Sequence, residues 1–267
     1  MVNIVNYQLL RGIGLSDRAV MELVAHTRIK SYEAGEVMYR RGAVEQPWRY
    51  VLTGVACMCS PEREGKRDLF GIVGPGHWAG DAPLEEYQAA ILELLCMTEV
   101  RVMEVPIEYI RNAFESELNF CRYVARLLND RNLRQSETAL MQRIPETVDR
   151  VSLCLALLCE TFLSCSPSRA IQDSRKLDAA QAHQSLPFNQ TALASLCYVS
   201  RSNLSQTLKQ FALAGLCQAQ YAQVTLLRLD TWMHTLKVQR QQTEHIGRGA
   251  FETLTSLSTG AQYAVAQ

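Results

Sequence analysis

The side chains best suited to chemistry in this sequence are short polar and basic ones along residues 200–209. They are Ser200, Arg201, Ser202, Asn203, Ser205, Gln206 and Lys209. Guanidinium and ammonium groups bind phosphates and guanine edges, carboxamides pair with adenine, and hydroxyls bond to phosphates or bases. If these side chains share the exposed face of one helix, that face has the donors and acceptors needed to contact double-stranded DNA.

The surrounding sequence predicts two short helices joined by a turn. Asn189 and Ser200 can each cap a helix through a side-chain oxygen, and residues 197–199 lie between the two helices. The inner faces carry apolar residues at helical spacing, namely Leu193 and Leu196, then Leu204, Leu208 and Phe211. This pattern predicts a helix-turn-helix over residues 189–213, whose second helix enters the major groove of DNA.

Residues 215–236 predict a strand, a turn, a second strand and a short helix, which is where a β wing would stand. The same segment also has an interpretation that does not involve DNA. Two helices with a solvated outer face also suit a ligand-sensing or scaffolding module whose C-terminal helices bind protein instead of DNA.

The N-terminal part of the sequence has a different pattern of predicted secondary structure. Residues 15–26 predict a short helix capped by Ser16, and residues 29–106 consist of short strand-like runs separated by glycines. Frequent glycine turns between short strands predict a β-roll, sandwich or barrel. Cys57 and Cys59 fall on one face of a strand, and burial in the roll is more typical of such a pair than a redox or metal site.

Helical periodicity returns after Pro106. Residues 107–134 predict one long helix, or two joined near Asn119, with an apolar seam suited to dimerisation. Another helix is expected over residues 145–163. The predicted domains are a sensor at 1–106, a dimerisation region at 107–144, a DNA-binding domain at 145–237 with a linker or insertion at 164–186, and a tail without clear period at 238–267.

Composition limits the function classes. The chain has 27 basic and 27 acidic residues, so any surface for nucleic acid must be local. Residues 187–237 meet this need, since four basic residues against one acidic residue leave a net charge of +3. Without a signal peptide or an apolar run of membrane length, and with an odd number of cysteines, nine, the sequence predicts a reduced cytoplasmic protein that does not associate with membranes. It contains no catalytic motif, so an enzyme is not expected.

The order of these parts resembles the Crp/Fnr superfamily of bacterial transcription regulators. The residues that carry the resemblance are Tyr32, Gly35, Gly42, the VLTG run ending at Gly54, Gly65, Gly74, Gly76 and Gly80–Asp81, followed by Val199–Ser200–Arg201 and Gly215–Leu216. The resemblance implies an α+β fold, with an N-terminal β-roll like a cyclic-nucleotide-binding domain, a long dimerisation helix and a C-terminal winged helix-turn-helix. It also implies a homodimer on a palindromic DNA site, with RNA polymerase as a further partner.

Two departures from the family are expected to matter. Ser202 and Gln206 stand where relatives often carry base-reading Glu and Arg, which predicts a different half-site or a weaker reading of it. The predicted effector pocket begins at Gly80–Asp81 and places Gln88–Ala89 where nucleotide-binding relatives have Arg-Ser. Since a cyclic phosphate needs a cation, we expect no control by cyclic AMP.

No cofactor and no metal are expected either. No cysteine precedes Cys57, so an N-terminal iron–sulfur site of the kind found in the oxygen-sensing branch is not expected. His77 follows a glycine turn, where an exposed histidine is more typical than a haem ligand. An uncharged ligand, a protein partner and no effector at all remain open.

Overall fold

A computed structural model describes residues 2–44, 46–80, 89–164, 183–220, 223–242 and 249–264, with side chains described between residues 6 and 257 of these ranges except at residue 164. The chain forms two compact units. One contains Met1–Arg67 and Gly71–Gln135, and the other contains Asp68–Phe70 and Ser136–Gln267. The predicted dimerisation region at 107–144 is therefore divided between the two units.

The N-terminal unit contains helices at both ends of a strand-rich segment. Its elements are α1 (Val2–Gly12), α2 (Asp17–His26), β1 (Arg28–Tyr32), β2 (Val37–Tyr39), β3 (Trp48–Thr53), β4 (Ala56–Cys59), most of β5 (Leu69–Val73), β6 (Trp78–Ala79), β7 (Glu93–Cys96), β8 (Val100–Val105), α3 (Ile107–Ser116) and the first part of α4 (Leu118–Gln142).

The second unit is mainly helical. After the last turns of α4 it contains α5 (Thr147–Ser164), β9 (His183–Leu186), α6 (Gln190–Leu196), α7 (Arg201–Leu213), β10 (Cys217–Ala219), β11 (Val224–Leu227), α8 (Leu229–Gln241) and α9 (Ala250–Ala264). Strands β10, β11 and β9 pair in that order as an antiparallel sheet.

The strands of the N-terminal unit form the predicted β-roll. They make two four-stranded sheets, ordered β1-β8-β3-β6 and β2-β7-β4-β5. Alternate residues point between the sheets, so Val51, Val102 and Leu94 are fully buried there. A tight hairpin lies between β4 and β5, where Arg63 pairs with Lys66 around Gly65, which has a φ of +72°.

The helices of this unit pack on a second apolar cluster built around two tryptophans. The rings of Trp48 and Trp78 stack 3.9 Å apart, and Phe120 meets Trp48 edge-on. The indole N–H of Trp78 donates to the hydroxyl of Tyr123 on α4 at 3.0 Å. Of the two predictions for the segment after Pro106, the second is confirmed: there are two helices, and they are joined at Glu117, close to Asn119.

The prediction for the C-terminal tail is wrong. Helix α8 continues beyond residue 237 to Gln241, and α9 packs against α5 and α8 with Ala250 and Leu254 fully buried. The start of α9 is fixed by Asp149 on α5, whose carboxylate accepts from the backbone N–H of Gly249 at 3.0 Å and of Phe251 at 2.9 Å. A carboxylate at this position satisfies amides that the helix itself leaves unpaired.

Helix α1 and strand β9 were not predicted from the sequence. Helix α1 had no clear signal in the sequence. Residues 183–186, which were included in the predicted linker, form strand β9, while residues 165–182 of that linker lie outside the described residues. Among the helices described, none is both long and apolar enough to cross a membrane.

Two glycines give a matched test of the roll. Gly54 has a φ of +83°, and an added Cβ would lie 2.0 Å from the backbone oxygen of Glu99, whereas Gly35 has a φ of +86° and open space around it. Gly35→Ala should cost about 1–2 kcal/mol in unfolding free energy from backbone conformation alone. Gly54→Ala should cost about 1–3 kcal/mol more, because the neighbouring strand must shift. Urea denaturation measures both, and equal losses would contradict the close approach.

The Asp149 cap gives a second test. Asp149→Ala should lower the protection of the first amides of α9 from hydrogen exchange and reduce the unfolding free energy by about 1 kcal/mol. Glu146→Ala is the matched control, because it removes an exposed acidic side chain from the same end of α5. Similar exchange rates in the two variants would show that Asp149 does not hold the helix.

Candidate nucleic-acid interface

The two predicted helices and the turn between them are present. The side-chain oxygen of Asn189 accepts from Ala192 N at 2.8 Å and begins α6. The hydroxyl of Ser200 accepts from Asn203 N at 3.2 Å and begins α7. Both caps act where the sequence predicted them, so the starting points of both helices are fixed by local chemistry.

The inner face of α7 is held by aromatic packing. Leu204, Leu208 and Phe211 are buried as predicted. The ring of Phe211 meets Trp232 of α8 at 5.6 Å and Phe251 of α9 at 5.5 Å. Because one side of α7 is packed along its length, its opposite side is presented in a defined orientation.

The predicted contact residues lie on that opposite side, with small differences between them. Ser200, Arg201, Ser202, Asn203, Gln206 and Lys209 are exposed, and Ser205 is half-buried. Ser200 and Ser202 lie with their hydroxyl oxygens 2.9 Å apart, and Ser200 is already used as the cap. Ser200 therefore orients the start of α7, and the other side chains provide most of the donors and acceptors.

The charge on this face is positive and free for a partner. In the described part of the chain, no acidic side chain forms an ion pair with Arg201 or Lys209. Strands β10 and β11 form the predicted hairpin beside α7, and the side-chain amide of Gln223 donates to Gln220 across it at 3.0 Å. Tyr221 and Ala222, between the two glutamines, lie outside the described residues.

Only part of the predicted effector pocket is described. Gly80 has a φ of +84° and its carbonyl accepts from Arg131 of α4 at 2.7 Å, while a second Arg131 nitrogen donates to Trp78 O at 2.5 Å. Ala89 is exposed. Asp81 and Gln88 lie outside the described residues. Sequence reasoning missed Arg131, because 51 residues separate it from the carbonyl of Gly80 that it binds.

The interior of the roll contains an ion pair that the sequence did not reveal. Arg49 and Glu104 are each only 4% exposed, and Arg49 Nε donates to Glu104 Oε1 at 2.9 Å. Tyr32 donates to the same oxygen at 2.9 Å. The strand register places these groups on the face that also carries Val51 and Val102, so the interior cation is already neutralised.

The cysteines and the histidine considered above as possible redox, metal or haem ligands are buried or half-buried. Cys57 and Cys59 are both fully buried on β4, as predicted, and burial raises the pKa of Cys59 although Arg67 donates to its sulfur at 3.7 Å. His77 is half-buried and not exposed, and desolvation lowers its pKa. Within the described ranges, no three His, Cys, Asp or Glu side chains converge as a metal site.

Comparison with known proteins agrees with this architecture. Residues 29–117 match a family model described as "Cyclic nucleotide-binding domain". The matched residues are those of the N-terminal roll and of α3. A search of the curated proteins finds no match.

Solved structures extend the likeness beyond this domain. FixK2 from Bradyrhizobium japonicum is 17% identical with a TM-score of 0.60, covering 79% of this chain and 96% of its own. The CRP/FNR family transcriptional regulator TTHA1359 from Thermus thermophilus is 19% identical, with a TM-score of 0.56 and coverage of 79% and 98%. CLP from Xanthomonas campestris, described as a c-di-GMP responsive global regulator, is 20% identical, with a TM-score of 0.56 and coverage of 79% and 99%. The chain therefore shares the fold of these solved structures, which confirms the predicted fold class.

Proposed function

We propose that this protein is a sequence-specific DNA-binding transcription regulator of the Crp/Fnr type. The observation that carries the proposal is α7, which is packed along one face and exposes Arg201, Gln206 and Lys209 on the other. A helix with this division, following a capped turn and preceding a two-stranded hairpin, has the geometry of a recognition helix with a wing.

The side chains of α7 differ in the DNA groups that they are suited to contact. Arg201 and Lys209 contact phosphates or guanine edges, and Gln206 pairs with adenine in the major groove. Ser202 adds a hydroxyl near the helix start. A face with Ser202 and Gln206 in place of charged residues reads a half-site different from one read by Glu and Arg.

The proposed regulator acts as a homodimer on a palindrome. Helix α4 exposes a series of leucines, among them Leu133 at 56% and Leu140 at 47%, which lie on one stripe because they are seven residues apart. Pairing two copies of α4 covers this stripe. It also places two recognition helices to read the two halves of a symmetric site, as homodimers of this fold do.

Salt dependence distinguishes DNA binding from protein binding. If α7 contacts phosphates, the affinity of the protein for DNA should fall steeply as the salt concentration rises, because phosphate contacts release counterions. DNA fragments enriched from a random library by the purified full chain provide the probe. Fluorescence anisotropy across a salt series then measures affinity, and the enriched sequences give the half-site and its spacing.

Arg201→Ala should weaken binding to the enriched fragment by about tenfold or more and reduce the salt slope by about 1. Arg63→Ala, which removes an exposed arginine from the roll hairpin, should leave both values unchanged. If Arg201→Ala binds as tightly as the wild type, α7 does not contact DNA as proposed. An affinity without salt dependence would favour the scaffolding alternative.

Cyclic AMP and cyclic GMP should show no micromolar binding in isothermal titration calorimetry. The arginines described near the predicted effector pocket already have partners within the chain. Arg67 is paired with Glu93, and Arg49 with Glu104. Arg131 donates to the carbonyls of Gly80 and Trp78. Loss of charge-assisted bonds to the phosphate removes about 1.5–3 kcal/mol for each bond. Micromolar binding of either nucleotide would overturn this part of the proposal.

A further inference from the structure

The turn before α7 contains a residue in an unusual backbone conformation. Tyr198 has a φ of +55°, in the left-handed region that residues other than glycine seldom occupy. Such a conformation persists only where the surroundings hold it in place. Tyr198 lies two residues before Ser200, the residue that caps α7, so its conformation sets where the helix begins.

The carbonyl of Tyr198 is held by Arg150 on α5. Arg150 Nη1 donates to Tyr198 O at 2.9 Å. The same guanidinium donates through Nε to Ile144 O at 3.0 Å and through Nη2 to Pro145 O at 3.4 Å. One side chain therefore joins the turn before α7 to the connection between α4 and α5.

A second contact lies one helical turn further along α5. The thiol of Cys154 donates to Leu196 O at 3.4 Å, and both Cys154 and Cys197 are buried. Residues four apart lie on the same face of a helix. This face of α5 therefore contacts carbonyls on both sides of Cys197, and the turn is attached at two points.

The connection between α4 and α5 is itself held on both sides. Met141 and Ile144 are buried within it. Arg240 of α8 donates to Glu137 on α4 at 2.5 and 2.9 Å and to Glu160 on α5 at 2.7 and 2.8 Å. The end of α4 and the body of α5 are thus fixed to each other, and Arg150 extends this attachment to the turn.

We propose that Arg150 is a positioning residue that couples the end of α4 to the recognition helix by holding Tyr198 in its left-handed conformation. The inference rests on the proposed function for its consequence, since α7 must read DNA for its position to matter. In that setting, a change in the connection between α4 and α5 reaches α7 through one guanidinium. Arg150 thereby sets how well the protein discriminates between DNA sequences.

The first arm of the test needs no DNA. Hydrogen exchange of the full chain is measured for the wild type, Arg150→Gln and the control Arg143→Gln, which removes the same charge from an exposed side chain in the connection. Arg150→Gln should increase exchange of the amides of residues 199–204 by tenfold or more, and Arg143→Gln should not. Unchanged exchange in Arg150→Gln would overturn the proposal whatever the protein does with DNA.

The second arm separates positioning from general support of the fold. Glycine adopts a positive φ without strain, so Tyr198→Gly removes the need to hold the turn. Combined with Arg150→Gln, it should restore at least part of the preference for the enriched DNA over a fragment with one base pair changed in each half-site. Arg150→Lys, which keeps the charge with fewer directed donors, should fall between wild type and Arg150→Gln.

The outcomes distinguish this inference from the proposed function. If wild type and Arg150→Gln discriminate between the two fragments equally, the inference fails and DNA binding stands. If Tyr198→Gly gives no recovery while the melting temperature of Arg150→Gln falls, Arg150 is only a structural support and the inference fails. If exchange rises in Arg150→Gln and the wild type binds no DNA, the proposed function fails, and with it the role of Arg150 in DNA discrimination.

Discussion

The packing of Phe211 is the interaction on which the C-terminal unit depends. A helix that presents polar side chains to a partner must be fixed by its opposite face, and Phe211 meets aromatic rings from both α8 and α9. Aromatic pairs at these distances add directional attraction to the apolar area that they bury. The exposed face of α7 can therefore remain short in charged residues and still offer a partner a defined arrangement of groups.

The β-roll has the opposite character, because its interior is polar at one point. The pair of Arg49 and Glu104 is stable there because each charge compensates the other and Tyr32 adds a hydrogen bond. An anionic ligand that entered this region would have to compete with Glu104 for the guanidinium of Arg49. The roll thus keeps the architecture of a cyclic nucleotide-binding domain while its interior charge is already satisfied by the chain itself.

The sequence predicted those parts of the site that depend on neighbouring residues. Asn189 and Ser200 cap their helices through amides three residues away, and Leu204 and Leu208 reveal the buried face by spacing alone. Contacts between distant residues were missed. No residue close to α9 in sequence indicates that Asp149, 100 residues before Gly249, accepts hydrogen bonds from the first amides of this helix. The polar composition of the segment also concealed its buried residues, Ala250 and Leu254.

The same limit applies to the sensor. The glycine pattern predicted the strands of the roll, since turns are local, but the bond from Arg131 to the carbonyl of Gly80 arises from the packing of α4 on the roll. Residues 81–88, which include Asp81 and Gln88 of the predicted effector pocket, lie outside the described residues. Arg49 was missed because the prediction considered only cations close in sequence to the predicted effector pocket.

Asp149 and Arg150 are adjacent on α5, and successive residues of a helix point about 100° apart. One holds the start of the last helix, and the other holds the turn before α7. The start of α9 and the turn before α7 are thus attached to neighbouring points on the same helix. Helix α9, whose sequence looks dispensable, is consequently part of the frame that orients the proposed DNA-reading face, because Phe251 at its start also packs on Phe211 of α7.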